Sequence, residues 1–166
     1  MKRVLVIGSN GAGKSTFSYE LSDKTELPLI HIDKVYWRNA WEVTPREEFE
    51  RIILAQAQNP CWIIEGNNIR SLNQRLHYAD TVIWFEFSPI RCVFNIVKRE
   101  FKYRNKVRPD MPDKCISKFN IAFLKDVWKF NNKNHTKIEL CLRNARNVEV
   151  IYFTNYRQVR KYFKSI

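Results

Sequence analysis

The stretch GSNGAGKST, residues 8–16, has the residue types and spacing of a phosphate-binding loop. Gly8, Gly13, Lys14 and Ser15 fit the pattern G-x-x-x-x-G-K-[ST]. Glycines let the backbone turn with positive φ, so that N–H groups face phosphate oxygens. In this pattern the lysine reaches the β- and γ-phosphates and the following hydroxyl ligates Mg²⁺. The alternative is a plain glycine-rich turn, but a predicted strand before it and helix after it favour nucleotide binding.

A carboxylate follows the third apolar run of the chain, in CWIIEGNN. Ligands of parallel α/β sheets gather at the carboxyl ends of the strands, so Glu65 is expected to point at the phosphate site and to hold Mg²⁺ through water. The alternative is a strand-to-helix turn with an exposed glutamate. Ser15 and Glu65 are therefore the two candidate metal-holding residues.

HIDKVYW ends the second apolar run in the same way. At this edge Asp33 is placed to orient an acceptor hydroxyl or to accept its proton, although an N-cap or turn aspartate is the alternative. His31 lies inside the strand pattern, which favours a buried core histidine over a substrate contact. We expect Tyr36, Trp37 and Trp41 to form either a hydrophobic lid or a stacking surface for a planar substrate. At least one of these three side chains is expected to pack in the core.

Seven cationic residues crowd the region after the fourth apolar run, namely Arg91, Lys98, Arg99, Lys102, Arg104, Lys106 and Arg108. A solvated helix face is the ordinary explanation of such charges. Phosphoryl transfer, however, needs cations that move over the transferred group. An arginine-rich mobile loop after this helix would supply them.

These residues need secondary structure elements that bring them together. Five runs rich in β-branched and aromatic residues are predicted as strands, over residues 3–7, 28–32, 61–65, 81–87 and 148–153. Their nearly continuous apolar character is typical of a parallel sheet covered on both faces. Helices are predicted to start at an N-cap Thr44, at Ser88 and near Tyr156, with one broken or two separate helices over 117–145. This alternation predicts a three-layer α/β fold.

Composition narrows the function classes. The chain has 166 residues, which is the size of one domain, and neither repeats nor a linker divide it. With 29 Lys and Arg against 17 Asp and Glu, the net charge of +12 attracts polyanions: nucleotides, nucleic acids or acidic surfaces. The four scattered cysteines are expected to be reduced. The first ten residues have too short an apolar run for a signal peptide, so a cytoplasmic protein without a membrane partner is expected.

The chain resembles the adenylate-kinase-like P-loop kinases. The resemblance is carried by GSNGAGKST after the first strand, by a carboxylate–glycine pair after the third strand and by an arginine-rich segment after the fourth. More closely, HIDKVYW, EGNNIR and KYRNKVRPDMP are similar to the bacterial DNA topology modulation (FlaR-like) proteins. The resemblance covers nearly the whole chain.

The resemblance implies a P-loop NTPase fold with a five-stranded parallel sheet in the order 2-3-1-4-5 and helices on both faces. It also implies an acceptor-binding helical region over about 34–60, a basic lid over about 98–116, and ATP and Mg²⁺ as ligands. The implied phosphate-binding residues are Gly8, Ser9, Asn10, Gly11, Ala12, Gly13, Lys14, Ser15 and Thr16. Arg99, Arg104 and Arg108 resemble lid arginines, Glu65 the metal-site carboxylate, and Arg157 follows strand five under the base.

One segment departs from the resemblance. Nucleotide kinases of this family carry Asp-Gly followed by an aromatic residue, proline and arginine, whereas residues 65–70 read EGNNIR. Without the proline, and with the arginine displaced, the sequence argues against AMP as the acceptor.

The function expected from these residues is ATP-dependent phosphoryl transfer to a small-molecule acceptor that the sequence does not identify. Its catalytic residues are predicted to be Lys14, Asp33, Arg99, Arg104 and Arg108. The alternative is a nucleic-acid-binding P-loop ATPase, which the net charge of +12 and the FlaR-like resemblance favour, although no helix-turn-helix, zinc-finger or RNA-binding motif is present. A GTPase switch is disfavoured because the chain has no N-K-x-D base-reading element.

Overall fold

The five apolar runs form one parallel sheet. The structure is a computed structural model that describes residues 1–117 and 119–166. The strands are β1 (Arg3–Gly8), β2 (Leu29–His31), β3 (Trp62–Glu65), β4 (Thr81–Phe85) and β5 (Glu149–Phe153). They pair in the order β2-β3-β1-β4-β5, and every pairing is parallel. The predicted order 2-3-1-4-5 is therefore confirmed.

Seven α-helices are found in the described part of the chain, besides a short 3₁₀ helix over Asn39–Trp41. They are α1 (Lys14–Thr25), α2 (Ile32–Tyr36), α3 (Arg46–Ala57), α4 (Leu72–Tyr78), α5 (Pro89–Lys102), α6 (Ile121–Asn144) and α7 (Tyr156–Phe163). Two predicted starts are confirmed, because the Ser88 side chain caps α5 and α7 begins at Tyr156. Two further predictions need correction, and each has a physical reason.

The predicted N-cap of α3 is wrong by one residue. Pro45 is the cap residue, and the Thr44 hydroxyl instead donates to the carbonyl of Val35, at 2.7 Å. The bond ties the start of α3 back to α2, so Thr44 closes a loop between two helices rather than capping one of them.

The helix predicted as broken or double over 117–145 is the single helix α6. Its first half buries Val127 in the hydrophobic cluster that also holds α1 and α5, whereas its second half buries Ile138 and Leu142 in the cluster that holds α3 and α4. A helix long enough to pack at both layers needs no break, although its apolar residues then fall into two groups.

The sheet separates these two clusters. Along β1, Leu5 and Ile7 belong to one cluster, and Val4 and Val6 belong to the other. Successive strand residues point to opposite faces, so a strand buried on both faces must be apolar at every position. The three-layer α/β prediction is thereby confirmed, and the continuous apolar runs have their physical explanation.

The carboxyl ends of three strands meet at one edge of the sheet. Glu65, the last residue of β3, pairs with His31 of β2 on one side and with Val6 of β1 on the other. β1 ends at Gly8, where the loop to α1 begins. The candidate site residues that follow β1, β2 and β3 in the sequence therefore lie at this edge.

Candidate active site

The GSNGAGKST loop connects β1 to the amino end of α1. Gly8 has a φ of 130°, and a Cβ at this position would lie 2.2 Å from the carbonyl oxygen of Phe85 on the neighbouring strand. Gly13 is the N-cap residue of α1 with a φ of 93°. Only glycine adopts such angles without strain, and the resulting loop places the amino end of a 12-residue helix at the sheet edge, where N–H groups favour an anion.

Lys14 is the first residue of α1. Its side chain is buried, and its Nζ donates to the carbonyl of Ser9, at 3.2 Å. The same Nζ lies 3.8 Å from Oε1 of Glu65. The ammonium group is thus held at the mouth of the loop by two oxygen atoms, where it is placed to contact a bound phosphate.

The two candidate metal-holding residues are in contact. The Ser15 hydroxyl donates to Oε2 of Glu65, at 3.2 Å, although the two residues are 50 positions apart. Among residues 1–117 and 119–166, no group of three or more His, Cys, Asp or Glu side chains has the arrangement of a metal site. One hydroxyl and one carboxylate fit Mg²⁺, which proteins commonly hold with one or two carboxylates together with the substrate's phosphates.

His31 supports Glu65 from the neighbouring strand. Its Nδ1 lies 2.9 Å from Oε2 of Glu65, while its buried Nε2 has no hydrogen-bond partner among the described residues. The ring is 5% exposed, which agrees with the prediction of a buried core histidine. The sequence did not indicate its contact with Glu65.

A cavity of about 1220 Å³ opens in front of these residues. Lys14, Asp33 and Glu65 line it together with Asn10 of the loop. Aromatic and apolar side chains complete much of its wall, including Tyr36, Trp37, Trp41, Met111, Phe119 and Phe123. All three aromatic residues that the sequence singled out therefore face this cavity, and Tyr36 also packs against the core.

Asp33 lies in the first turn of α2, directly after β2. Burial raises the pKa of its carboxyl group, and the nearby carboxylates of Glu65 and Asp110 raise this pKa further, whereas Lys14 and Arg108 lower it. These influences place Asp33 within electrostatic reach of Lys14 and Glu65. A half-buried carboxylate beside a cavity is suited to receive a hydroxyl proton.

The predicted lid arginines do not share one environment. Arg99 and Arg108 line the cavity. Burial is the main cause that lowers the pKa of Arg99, and the positive charge of Arg108 lowers it further. Arg104 is exposed and does not line the cavity, and the same holds for Arg157 in the first turn of α7. The structure thus brings two of these four arginines to the site.

Three site residues were missed by sequence reasoning. The first is Asp110, whose Oδ2 lies 3.4 Å from the Ser15 hydroxyl and whose Oδ1 lies 3.4 Å from Nε of Arg108. The second is Asn67, whose Oδ1 accepts from the backbone N–H of Gly8, at 2.9 Å. A carboxylate between two prolines carries no signal of its own. Asn67, in contrast, stood in the conspicuous EGNN segment.

The third missed residue is Arg75 of α4. It is fully buried, and its guanidinium donates to the carbonyls of Gly66 and Asn68. Burial lowers its pKa to about 9. It fixes the backbone of the loop after β3, and a helical arginine of this kind is indistinguishable in sequence from a solvated one.

The sequence matches no protein-family model and no curated protein. The fold, however, is similar to that of solved structures. A protein from Chloroflexus aurantiacus J-10-fl, inferred to be a kinase, matches with a TM-score of 0.52 and 15% identity over 100% of both chains. An unliganded sugar kinase from Janibacter sp. HTCC2649 matches with a TM-score of 0.54 and 13% identity, over 99% of this chain and 93% of that one. At these identities the likeness establishes the α/β kinase-like fold.

Within the residues that the structure describes, no helix combines the length and the apolar character that crossing a bilayer requires.

Proposed function

We propose that this protein is an ATP-dependent phosphotransferase that acts on a small-molecule acceptor. The observation that carries the proposal is the convergence of Lys14, Glu65 and Asp33 on one cavity of about 1220 Å³. Cavities for one drug-sized ligand are commonly about 300–1,000 Å³, so this volume suits two substrates side by side. The fold shared with kinases is consistent with this activity.

Different residues bind the nucleotide and stabilise the transferred phosphoryl group. The loop N–H groups and Lys14 bind the phosphates of ATP, and Ser15 with Glu65 holds Mg²⁺, which neutralises charge on the phosphates when bound. Arg99 and Arg108 line the cavity and stabilise charge that develops on the transferred group. Because little covalent chemistry is needed in phosphoryl transfer, positioning and electrostatics account for most of the catalysis.

Asp33 determines which acceptors fit. Its carboxylate lies within electrostatic reach of two more carboxylates, Glu65 and Asp110. An acceptor that carries its own phosphate would be repelled by these groups, whereas an alcohol donates its hydroxyl proton to Asp33 and gains nucleophilicity. We therefore favour an alcohol acceptor, whose apolar face lies against Trp37 and Trp41.

A second candidate function is a nucleic-acid-binding P-loop ATPase. The observation that favours it is the outer face of α5, where Phe94 and Phe101 are 66% and 73% exposed. They are seven residues apart, on one side of the helix, and Lys98 lies between them. Exposed aromatic rings beside cations are the features on which single-stranded nucleic acids stack.

The test is substitution of Lys14 by alanine. The variant removes a buried cation at the phosphate end, and loss of such a group commonly costs about 3–4 kcal/mol in the barrier. We expect Mg-ATP turnover to fall by more than about 100-fold. The matched control is Lys24→Ala, which removes an exposed lysine from the last turn of the same helix.

Turnover is measured as ADP release across a panel of alcohols, sugars, nucleosides and nucleotides, with and without a single-stranded oligonucleotide. Turnover that depends on an alcohol supports the kinase, and turnover that depends only on the oligonucleotide supports the second candidate. Retention of more than about a tenth of the wild-type rate by Lys14→Ala would overturn the catalytic role of the loop.

A further inference from the structure

A lid carboxylate reaches the metal-binding end of the cavity. Asp110 belongs to the segment 103–117 between α5 and α6, which we call the lid. Its Oδ2 lies 3.4 Å from the Ser15 hydroxyl, across 95 positions of sequence. Glu65 Oε2 lies 3.2 Å from the same hydroxyl. The Ser15 oxygen is thus flanked by one carboxylate from the sheet edge and one from the lid.

A serine hydroxyl has only one proton to donate. It satisfies one of the two carboxylates at a time, so the other oxygen faces it without a hydrogen bond. Two negative charges at one hydroxyl also repel each other, and both contribute to the raised pKa of Asp33. The geometry is therefore unfavourable unless a cation balances it.

Two cations balance it, one for each carboxylate. Lys14 Nζ lies 3.8 Å from Glu65 Oε1, and Arg108 Nε lies 3.4 Å from Asp110 Oδ1. Both are residues that the proposed function assigns to ATP phosphates. When Lys14 and Arg108 turn to the phosphates, Asp110 loses its cation and Glu65 keeps only its contacts with His31 and Ser15, so a divalent cation restores the balance.

The lid is fixed at its other end to the acceptor-binding region. Trp41 Nε1 donates to the carbonyl of Ile116, at 3.2 Å, and Cys115 Sγ donates to the carbonyl of Arg38, at 3.3 Å. One short segment therefore contacts both the phosphate end and the acceptor region. Whatever binds Asp110 also determines how the lid lies over the cavity.

We infer that Asp110 is a further metal-holding residue, which joins Ser15 and Glu65 around the Mg²⁺ of the bound nucleotide and thereby couples metal binding to docking of the lid. The inference rests on the proposed function, because the metal arrives with ATP. Hard oxygen donors of this kind, with one or two carboxylates and the substrate's phosphates, suit Mg²⁺.

The experiment uses Asp110→Asn, which keeps the shape of the side chain and removes its charge. Asp113→Asn is the matched control, since Asp113 is an exposed carboxylate of the same lid. Asp110→Glu restores the carboxylate on a longer side chain. Melting temperatures of all three variants establish that they fold before binding is measured.

The principal readout is hydrogen exchange of two peptides, one spanning the P-loop (residues 8–16) and one spanning the lid. Each protein is measured alone, with a non-hydrolysable ATP analogue in EDTA, and with the analogue and Mg²⁺. In the wild type and in Asp113→Asn, we expect the nucleotide to protect the P-loop and Mg²⁺ to add protection to the lid. In Asp110→Asn, the P-loop stays protected and the metal-dependent protection of the lid is lost.

The second readout is the Mg²⁺ concentration at half-saturation with the analogue present. We expect it to rise about tenfold in Asp110→Asn, as for other residues that support a metal site, and to recover in part in Asp110→Glu. Equal metal titrations and equal lid protection in Asp110→Asn and Asp113→Asn would overturn the inference. So would tighter metal-free nucleotide binding by Asp110→Asn with metal-dependent lid protection intact, because Asp110 would then only repel phosphates.

The two proposals fail in different ways. If the nucleotide does not protect the P-loop of the wild type, the proposed function is wrong and the inference falls with it. If the P-loop is protected but Mg²⁺ leaves the wild-type lid unchanged, only the inference about Asp110 is wrong.

Discussion

Two neighbouring regions of the cavity differ in what forms them, main-chain atoms in one and ionisable side chains in the other. The end formed by the loop of residues 8–16 is a backbone structure, in which Gly8 and Gly13 adopt positive φ angles of 130° and 93°. Beside it lies a region of ionisable side chains on a short helix and a loop, among them Asp33, Arg108 and Asp110. We call these two regions the backbone end and the charged wall.

The difference teaches which kind of change each region tolerates. The backbone end depends on close packing of main-chain atoms, so an added methyl group harms it and a change of surface charge does not. The charged wall depends on electrostatic balance, because Asp110 pairs with Arg108 at 3.4 Å and burial raises the pKa of Asp33. Changes of charge there should alter activity while the fold persists.

The largest effect is expected for Gly8→Ala at the backbone end. Its Cβ would lie 2.2 Å from the carbonyl oxygen of Phe85, a main-chain atom that cannot move without disturbing β4. We expect the free energy of unfolding to fall by about 3 kcal/mol or more, as for other severe backbone strain and overpacking. Chemical denaturation measures this, with insoluble protein as the extreme form of the same result.

Gly13→Ala is the matched control for this prediction. Its Cβ would lie 3.1 Å from Cε1 of the Tyr156 side chain, which is able to shift, although the φ of 93° remains strained. We expect a smaller loss of about 1–2 kcal/mol. A Gly8→Ala variant as stable as Gly13→Ala would show that the backbone end accommodates an added methyl group and is not rigid.

The backbone end was largely predictable from sequence, and the reason is physical. A backbone structure requires particular residue types at fixed spacing, so the pattern G-x-x-x-x-G-K-S can be recognised in the sequence. The strands were predictable for the same reason, since burial on both faces forces nearly continuous apolar runs. Glu65 could be placed because parallel strands end at a common edge.

The charged wall was predictable only in part. Arg99 and Arg108 reach the cavity, but Arg104 and Arg157 are exposed, and nothing in their sequence neighbourhood separates the two pairs. Asp110 was missed because its role depends on contacts with Ser15 and Arg108. A charged side chain has the same local pattern whether it faces water or a ligand.

The next effect in size is expected for Asp33→Asn in the charged wall. Loss of a proton acceptor commonly lowers the rate by about 100-fold or more, so turnover with an alcohol acceptor should fall by that factor. Stability should change in the opposite sense. The pKa of Asp33 is raised in the folded state, mainly by burial, so ionising this carboxyl group costs more free energy in the folded protein than in the unfolded chain. Asparagine removes this cost.

The pH dependence follows from the sign of that shift. A carboxyl group whose pKa is raised by folding stabilises the protein only when it is protonated, and this contribution is lost as pH rises through the raised pKa. Asp33→Asn should therefore melt at a higher temperature than the wild type at neutral pH, and the difference should shrink as pH falls through that pKa. A variant that is less stable at neutral pH, or equally active, would contradict the assigned role.

The smallest effect separates the three arginines that the sequence predicted for a lid. Arg99 and Arg108 line the cavity, so replacing both by lysine removes guanidinium forks that hold phosphate oxygens in pairs. We expect turnover to fall about tenfold, which is about 1.4 kcal/mol in the barrier, with little change in melting temperature. Arg104→Lys is the matched control, because Arg104 is exposed outside the cavity, and its turnover should equal that of the wild type. Steady-state rates with the best acceptor measure both. If Arg104→Lys loses as much activity as the double variant, the lid must rearrange so that Arg104 contacts the substrate. The charged wall would then include an arginine that lies outside the cavity in this structure.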